Sequence, residues 1–432
     1  MEVMAAPPSV LLVATATGYQ AESFRAAAGR LGVRLALATD RCDRLADPWR
    51  DNAIPVRFDQ PKAAIEALRK LPRFQGITAI GDRAALLAAQ LAAGLGLRFH
   101  SPLSAALAHD KYGFRQTLAA ANLPVPKFRR FALNSDPAVA ASQVEFPCVL
   151  KPLMLSASRG VIRANNAGEF TAAFGRIRQL LARPEIQQWH NPNAAWLLAE
   201  SFIPGREVAL EGWIEAGILQ RFAFFDKPDP LDGPFFEETI YVTPSRLETT
   251  QRALIWDVVE AAARAASLGP GPIHAEIRLD GETPYVLEIA ARPIGGLCAR
   301  TLRFRRAAGA PPAGNTPAGS IALEELLLRG ALGEPLAAWE RELLPNGVMM
   351  IPVPEGGVLE RVDGIEAARR VPGVETVEIT AKGGEPLLPL PEGSSYLGFI
   401  FARSATPAAV EEALRGAYAR LAIHMRQALP VV

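Results

Sequence analysis

A pair of acidic residues in one short hairpin constrains the fold of this chain more than any other feature. In the stretch HAEIRLDGETPYVLEIA, residues 274–290, two strand-like runs flank an Asp-Gly turn. Antiparallel pairing centred on Glu282 places Glu276 directly opposite Glu288, and the alternation of a strand puts both carboxylates on one face. The other face carries apolar side chains, which fix the register.

Two carboxylates that face each other repel and would weaken a sheet. A hard divalent cation between them would remove the repulsion, because Mg²⁺ takes oxygen ligands and typically uses one or two carboxylates together with substrate phosphates. Glu276 and Glu288 are therefore predicted metal ligands. The alternative is a hairpin whose acidic face is simply solvated.

Composition excludes several classes of protein. The chain has 432 residues, with 46 Lys and Arg against 45 Asp and Glu, so no charge excess argues for a nucleic-acid or membrane partner. Three widely spaced cysteines, Cys42, Cys148 and Cys298, exclude a disulfide framework and a zinc-finger cluster. The first apolar run is too short to span a bilayer, so we expect a cytoplasmic protein.

The chain divides into three consecutive segments that differ in their predicted pattern of strands and helices. Residues 1–108 alternate short apolar strands with Ala- and Leu-rich helices, which predicts a Rossmann-like open parallel sheet. Residues 109–320 mix strands and helices and end in a Gly- and Pro-rich loop over 306–320. Residues 321–432 predict a small α+β domain with a last helix over 407–429. The predicted fold class is α/β and α+β, with several domains.

A lysine followed by small residues suits a polyphosphate. Lys151 ends the apolar strand FPCVL. Ser156, Ser158 and Gly160 follow it, and residues this small let backbone N–H groups approach phosphate oxygens. The alternative is a surface lysine beside a polar turn, since the stretch lacks Walker-type spacing.

A second pair of acids flanks a Pro-Gly turn in the stretch LLAESFIPGREVALEG. Glu200 closes one strand and Glu207 opens the next. Such carboxylates can accept hydrogen bonds from an adenine amino group or a ribose hydroxyl, while Phe202 and Ile203 pack against the base. The alternative is a hairpin with two solvated acids.

Together and in this order, these segments resemble the ATP-grasp superfamily, and specifically its carboxylate–amine ligases, which include the L-amino-acid ligases. The resemblance covers nearly the whole chain and implies a pre-ATP-grasp Rossmann-like domain over 1–108, an ATP-grasp nucleotide-binding domain over 109–320 and a C-terminal lid domain over 321–432. It is carried by DKYGFRQTL, VLKP, SASRGV, AESFIPGREVALEG, HAEIRLD and YVLEIAARPIGG.

The resemblance implies ATP and Mg²⁺ (or Mn²⁺) as cofactors. Lys111 and Lys151 would contact the ATP phosphates, Glu200 the adenine and Glu207 the ribose, while the two opposed glutamates of the hairpin would hold the metal. The residues implied to bind the nucleotide are Lys111, Lys151, Ser156, Ser158, Gly160, Glu200, Phe202, Ile203 and Glu207.

The resemblance also assigns residues to the substrates. Arg292 would face a substrate carboxylate or the transferring phosphoryl group, since a guanidinium fork matches either one bidentately. Arg292 and Lys151 are the predicted catalytic residues. Gly295 and Gly296 offer N–H groups to an anion, and Glu238 lies in a segment that relatives use beside the acceptor site.

Two positions depart from the family pattern. Tyr241 stands where many relatives have a histidine, so the amine pocket is expected to differ. Ala290 stands where many ATP-grasp enzymes have an asparagine metal ligand, so we expect weaker binding of a second metal and retained activity. His274 is expected to support the metal site or pack beside it rather than bind the metal.

The implied activity is ligation of a small-molecule carboxylate to an amine or a thiol. An acyl phosphate would form from ATP, and its capture would give an amide or peptide bond, ADP and phosphate. The alternatives are a biotin-carboxylase-like ATP-dependent carboxylase and a regulatory module that binds ATP without turnover. A nicotinamide oxidoreductase is disfavoured because the first strand is not followed by GxGxxG. The oligomeric state stays open, with a homodimer as one outcome.

Overall fold

The computed structural model describes residues 6–15, 19–40, 53–309, 319–384 and 386–427. Cys42 and most of the predicted loop 306–320 lie outside these residues. Cys148 and Cys298 are buried thiols. Across the described ranges, no helix is both long enough and apolar enough to cross a bilayer.

Strands and helices alternate at first and strands dominate later, which confirms the predicted mixture of α/β and α+β structure. The strands are β1 Ser9–Ala14, β2 Arg34–Thr39, β3 Ala53–Pro55, β4 Gly76–Ile80, β5 Phe128–Ala132, β6 Cys148–Pro152, β7 Ile162–Ala164, β8 Trp196–Ser201, β9 Arg206–Glu215, β10 Ile218–Asp226, β11 Ile240–Thr243, β12 Gly271–Asp280, β13 Thr283–Ala290, β14 Arg303–Arg306, β15 Ile321–Ala322, β16 Trp339–Arg341, β17 Asn346–Ile351, β18 Gly357–Asp363, β19 Val374–Ile379, β20 Pro386–Leu387, β21 Gly398–Arg403 and β22 Ala422–Arg426. The helices are α1 Tyr19–Leu31, α2 Pro61–Arg69, α3 Asp82–Leu95, α4 Pro102–His109, α5 Lys111–Ala120, α6 Pro137–Ala141, α7 Ala167–Leu181, α8 Pro184–Gln187, α9 Thr249–Ala265, α10 Leu323–Ala331, α11 Ile365–Arg369 and α12 Pro407–Tyr418, and short 3₁₀ helices cover Pro192–Ala195 and Cys298–Thr301.

The first sheet is parallel, with the strand order β3-β2-β1-β4. Every residue of β1 is buried because helices cover both faces of the sheet. Leu11 and Val13 pack with α3 on one face, and Val10 and Leu12 pack with α1 and α10 on the other. The helix α10 comes from the last predicted segment of the chain, yet it packs on this first sheet.

A long antiparallel sheet crosses the domain boundary predicted at residue 320. Its strand order is β13-β12-β9-β10-β11-β17-β21-β19. The strand β11 pairs with β17, with Ile240 opposite Met349 and Thr243 opposite Asn346. Strands from two predicted segments therefore share one hydrogen-bonded ladder, which leaves no open edge at β11.

A smaller antiparallel sheet, β5-β8-β6-β7, packs against α7. The helix buries Phe170, Phe174 and Ile177 on one side, at the spacing expected of an amphipathic helix. Alternation along β6 and β8 sends Cys148 and Leu150 toward this helix, whereas residues of the opposite face line the cavity described below.

The predicted last helix over 407–429 is wrong beyond Tyr418. The helix α12 ends there, and Ala422–Arg426 forms β22, which pairs with β18. Val410, Ala413 and Leu414 make α12 amphipathic. Gly416 weakens the helix near its end, and the partner strand, which lies about sixty residues earlier, is not visible in the local sequence pattern.

Candidate active site

A cavity of about 360 Å³ collects nearly every residue that the sequence nominated. Its walls come from the first parallel sheet, the small sheet, the long sheet and α10. Gly160 is the one nominated residue that does not line it. Those that do are Lys111, Lys151, Ser156, Ser158, Glu200, Phe202, Ile203, Glu207, Glu238, Glu276, Glu288, Arg292, Gly295 and Gly296.

In the hairpin of β12 and β13 the two acids lie opposite each other as predicted, but the position of the turn and the register near it differ from the prediction. Glu276 lies directly opposite Glu288. Toward the turn the register shifts, so that Ile277 pairs with Val286 and the turn is two residues long, between Asp280 and Thr283. The extra residue, Leu287, forms a β-bulge. Without the bulge this turn would place the two acids on opposite faces of the sheet.

The two acids have different surroundings. Glu276 Oε1 lies 3.1 Å from Lys227 Nζ and 3.5 Å from His274 Nε2. Burial would raise the pKa of Glu276, but Lys227 and then His274 lower it well below its usual value. No basic side chain among the described residues pairs with Glu288, and burial together with the charge of Glu276 raises its pKa.

Lys227 is a buried cation that the sequence analysis missed. Its Nζ donates to Glu207 at 2.8 Å and to Glu238 at 2.5 Å, in addition to the contact with Glu276. Burial would lower the pKa of Lys227, but these acids raise it well above its usual value. The Tyr241 hydroxyl donates to Glu238 Oε2 at 2.7 Å. A single lysine after a strand carries no local signal, because its partners come from other strands.

His274 bridges two carboxylates across neighbouring strands. It lies opposite Glu211 in the ladder of β12 and β9, and its Nδ1 contacts Glu211 Oε1. Glu211 Oε2 accepts a hydrogen bond from the Ile294 backbone N–H at 3.0 Å. Burial would lower the pKa of His274, but Glu211 and then Glu276 raise it to about 9. Both ring nitrogens face acids, which agrees with the expected supporting role.

A buried ion-pair chain holds Lys151 in place. Lys151 Nζ donates to Glu200 Oε2 at 2.6 Å, and Arg115 Nε donates to Glu200 Oε1 at 2.6 Å. Arg115 also donates to the carbonyls of Val286 and Leu287 at 3.1 and 2.7 Å, so it ties α5 to the bulge. Burial would raise the pKa of Glu200, but Arg115 and Lys151 lower it to about 2. Both Glu200 oxygens are engaged, so its contact with adenine stays a prediction.

One part of the cavity is flat and apolar. Val149, Leu231 and Phe236 form a buried cluster, against which Val161 and Phe202 pack. The guanidinium groups of Arg163 and Arg278 lie 4.0 and 4.9 Å from the centre of the Phe202 ring, which fixes its orientation. This wall is the one that suits a planar base.

The loop after β6 is a tight turn with several left-handed residues. Ala157, Ser158 and Gly160 all have positive φ, at 53°, 54° and 76°. Three of its N–H groups already have protein acceptors, since Arg159 donates to the Ser156 carbonyl, Val161 to the Ser158 carbonyl and Gly160 to the Pro391 carbonyl. Lys111 Nζ donates to the Leu155 carbonyl at 2.7 Å, at the start of this loop. Gly160 is required for packing as well, since a Cβ there would lie 2.6 Å from Pro152 Cγ.

Arg292 is held by an acid from the first sheet. Arg292 Nε and Nη2 donate to the two carboxylate oxygens of Asp82 at 2.8 and 3.2 Å. Burial would raise the pKa of Asp82, but Arg292 lowers it well below its usual value. Asp82 opens α3 directly after β4, at the carboxyl end of a parallel strand, where ligand-facing groups of such sheets lie. This position could have identified Asp82 from the sequence as a candidate site residue, although it does not reveal that Arg292 is its partner.

Two family profiles match separate parts of the chain. The ATP-grasp domain matches residues 144–301, and the L-amino acid ligase C-terminal domain 2 matches residues 349–426. The first match contains Lys151, Glu200 and the acidic hairpin. The second contains the strands that extend the long sheet beyond β17.

Two curated relatives are similar over part of the chain. The uncharacterized protein y4rH of Sinorhizobium fredii is 26% identical over 297 residues, which are 68% of this chain and 56% of that protein. The alanine–anticapsin ligase of Bacillus subtilis strain 168 is 26% identical over 247 residues, 54% of this chain and 52% of that enzyme. The chain thus spans about half the length of the curated relatives it matches.

A solved structure is similar over nearly the full length. The L-amino acid ligase from Bacillus licheniformis superposes with a TM-score of 0.79 at 25% identity, covering 98% of this chain and 100% of that one. The superposition covers both of the segments that the family models match. The chain therefore contains an ATP-grasp domain over residues 144–301 and the C-terminal domain 2 of the L-amino acid ligases over residues 349–426.

Proposed function

We propose that this chain is an ADP-forming ligase that uses ATP to join a small-molecule carboxylate to an amine through an acyl phosphate. One observation supports the proposal most strongly. Glu288 is a largely buried carboxylate that has no basic partner among the described residues and lies directly opposite Glu276. A cation brought by a ligand would complete this arrangement.

The residues fit the nucleotide and the metal that the family uses. Glu276 and Glu288 offer only oxygen donors, which Mg²⁺ and Mn²⁺ prefer, and they share the cavity with Lys111 and Lys151. When bound, the metal would neutralise phosphate charge and act as a Lewis acid. The apolar wall beside Phe202 suits adenine, and Glu207 at the edge of the same cavity is the proposed ribose contact.

In the first step, side chains of the protein would position the substrate carboxylate and neutralise the negative charge of the ATP phosphates. Lys151 would bind phosphate oxygens while Glu200 holds its ammonium group in place. Arg292 would orient the substrate carboxylate with the Nη1 and Nη2 hydrogens that Asp82 and the Pro293 carbonyl do not use. The N–H groups around Gly295 and Gly296 would bind the same anion. Attack of the carboxylate oxygen on the γ-phosphorus breaks its bond to the bridging oxygen and releases ADP.

In the second step, Glu238 would receive the amine. Burial and then the charge of Glu276 raise the pKa of Glu238 to about 7, although Lys227 acts against the shift. A carboxylate with such a pKa can bind an ammonium group and take its proton on Oε1 or Oε2 near neutral pH. The neutral amine would then attack the acyl carbon, the bond from that carbon to the phosphate oxygen would break, and the leaving phosphate would take up the remaining surplus proton of the amine. Tyr241, which donates to Glu238, would set the orientation of that carboxylate.

Release of ADP tests the proposal. The purified chain is incubated with ATP, Mg²⁺ and a panel of carboxylate and amine pairs, amino acids included, with each substrate omitted in turn. ADP release that needs both substrates, together with an amide product detected by mass spectrometry, is the expected result. Tight ATP binding without ADP under any pair would favour a binding module, and ADP release that needs bicarbonate would favour a carboxylase.

Three further statements stay proposals. The domain boundaries at residues 108 and 320, the cytoplasmic location and a homodimer each rest on the sequence alone. The continuous ladder of β11 and β17 means that a cut at residue 320 would divide a sheet.

A further inference from the structure

One side of the cavity lies between α1, α10 and the 3₁₀ helix Cys298–Thr301, away from the nucleotide-facing sheets. Its apolar walls come from Phe24, Leu323, Leu327 and Ala299, all buried members of one hydrophobic cluster that also line the cavity. We call this region the α1–α10 subpocket. None of these four side chains has a role in the steps above.

Glu324 is the acidic residue of this subpocket. It lines the cavity from the first turn of α10, and only 7% of it is exposed. Its carboxylate contacts its own backbone N–H, and no basic side chain among the described residues forms a salt bridge with it. Burial raises its pKa, which is the expected result for a carboxylate that lacks a close cation.

Two of the three arginines that act on Glu324 are paired with other acids. Arg30 donates to Glu325 at 2.8 Å, and Arg300 donates to Glu378 at 2.5 Å. Arg303 acts on Glu324 only from beyond salt-bridge distance. The neighbouring Glu325 has the ordinary role of an acid at a helix start, because it accepts the Ala322 backbone N–H at 3.2 Å and does not line the cavity. Glu324 is thus an additional buried acid that the start of the helix does not require.

We propose that the α1–α10 subpocket binds the side chain of an amino-acid substrate that ends in a cation, with Glu324 as the partner of that cation. The methylene groups of such a side chain would pack against Phe24, Leu323 and Leu327, and a guanidinium or ammonium group would reach Glu324. A buried carboxylate without a cation is costly, and a cation supplied by the substrate removes that cost. The proposal rests on the ligase function and names its substrate class.

Binding measurements separate charge from shape. Isothermal titration of the full chain, with Mg²⁺ and a non-hydrolysable ATP analogue present, compares arginine with citrulline and lysine with norleucine. Each pair has nearly the same shape but differs in the terminal charge. We expect the charged member to bind at least about tenfold more tightly, the usual range for a hydrogen bond to a charged group.

Two variants on the same helix locate the effect. Glu324→Gln is expected to bring arginine and citrulline to within about twofold of each other, whereas Glu325→Gln, which keeps a helix-start acceptor, retains the preference. Urea unfolding of both variants checks that they remain folded. Equal affinities in the unmodified chain, an unchanged preference in Glu324→Gln, or no binding of any of the four amino acids would each overturn the proposal.

The outcome does not depend on turnover. If no pair of substrates releases ADP but arginine binds more tightly than citrulline, the ligase function fails and the subpocket assignment stands. If ADP is released equally well with neutral apolar amino acids and the binding preference is absent, the ligase function stands and the subpocket assignment fails.

Discussion

Glu276 and Glu288 are opposite each other in one ladder, yet among the described residues Glu276 forms salt bridges with basic side chains and Glu288 forms none. Lys227 and His274 keep Glu276 charged, while burial and the charge of Glu276 work against ionisation of Glu288. A cation brought by a ligand would therefore lower the pKa of Glu288 more than the pKa of Glu276. At the scale of single residues, the main difference in the site is that Glu276 has basic partners, whereas Glu288 has none among the described residues.

We expect Glu288→Gln to lower the rate of ADP release by about a hundredfold or more and to raise the Mg²⁺ concentration needed for half-maximal rate. The amide keeps the shape of the side chain but loses the charge that would bind the metal. ADP release over a Mg²⁺ titration measures both effects. Glu282→Gln, on the exposed turn of the same hairpin, is the matched control and should leave both unchanged. Unaltered Mg²⁺-dependent turnover in Glu288→Gln would contradict the metal assignment.

A second prediction concerns Asp82, which touches no predicted ligand but fixes Arg292 through two hydrogen bonds. Asp82→Asn should lower kcat by about tenfold to a hundredfold, since a misplaced catalytic group has costs of this size. The affinity for ATP should stay within about twofold, whereas the KM for the carboxylate rises. Asp59→Asn removes an exposed pair with Arg57 and serves as the control. If Asp82→Asn lost both ATP binding and folding stability, the role of Asp82 would be structural instead.

At the scale of secondary-structure elements, Arg115 joins α5, β8 and the bulge of β13. It pairs with Glu200 and donates to the carbonyls of Val286 and Leu287, while Glu200 holds Lys151 on β6. The bulge that brings Glu288 opposite Glu276 is therefore fastened to the elements that present Lys151. The residues proposed to bind phosphate and those proposed to bind the metal are thus connected by one buried ion-pair chain.

We expect Arg115→Met to lower the free energy of unfolding by about 3 kcal/mol at pH 7, because it leaves Glu200 buried with Lys151 as its only cation. In the folded chain the pKa of Glu200 is lowered from its ordinary value of 4.5 to about 2. Its stabilising contribution is thus present above pH 4.5 and is lost as the pH falls toward 2. The deficit of Arg115→Met should shrink over that window.

Urea unfolding at pH 7 and at several values below 4.5 measures this dependence. Arg129→Met, on the exposed side of β5, should change stability by less than about 0.5 kcal/mol at every pH and controls for the loss of an arginine. A deficit in Arg115→Met that stays constant as the solution is acidified would contradict the assignment of Glu200 as the charged partner.

At the scale of the whole molecule, the C-terminal segment reaches over the loop that follows β6. The Gly160 N–H donates to the Pro391 carbonyl at 2.8 Å, and Arg159 Nε donates to the Glu392 carbonyl at 2.7 Å. The Glu392 carboxylate pairs with Arg176 on α7 at 2.5 and 2.8 Å. Ser394 and Tyr396 of the same segment line the cavity. The segment therefore connects the loop after β6, which is proposed to cover the ATP phosphates, with the wall of the cavity.

Glu392→Ala should weaken this closure without touching a reacting group. Water would then reach the acyl phosphate more often, so the ratio of phosphate released to amide formed should rise about two- to fivefold, as expected for a partly exposed ion pair. Parallel phosphate and mass-spectrometric assays measure the ratio. Glu366→Ala removes an exposed pair with Arg369 on α11 and should leave it unchanged. An unchanged ratio in Glu392→Ala would show that closure does not depend on this contact.

Local pattern was enough to predict the hairpin, the lysine at the end of β6 and the amphipathic start of α12, because strand alternation, turn residues and helical spacing are properties of neighbouring residues. The extent of α12 was wrong because β22 is stabilised by β18, far away in the sequence. The Asp-Gly turn correctly indicated a hairpin, although the bulge at Leu287 was not visible in it.

The sequence by itself determined which residue types are available and where most strands and helices begin. That Glu276 and Glu288 share one face depends on the bulge at Leu287, which the structure revealed. Only the tertiary structure decided their charges and partners. Asp82 lies 210 positions from Arg292, Arg115 lies 85 from Glu200, and Lys227 meets acids from three different strands or loops. Burial and pairing, which set each pKa, depend on distances in space that no local pattern contains.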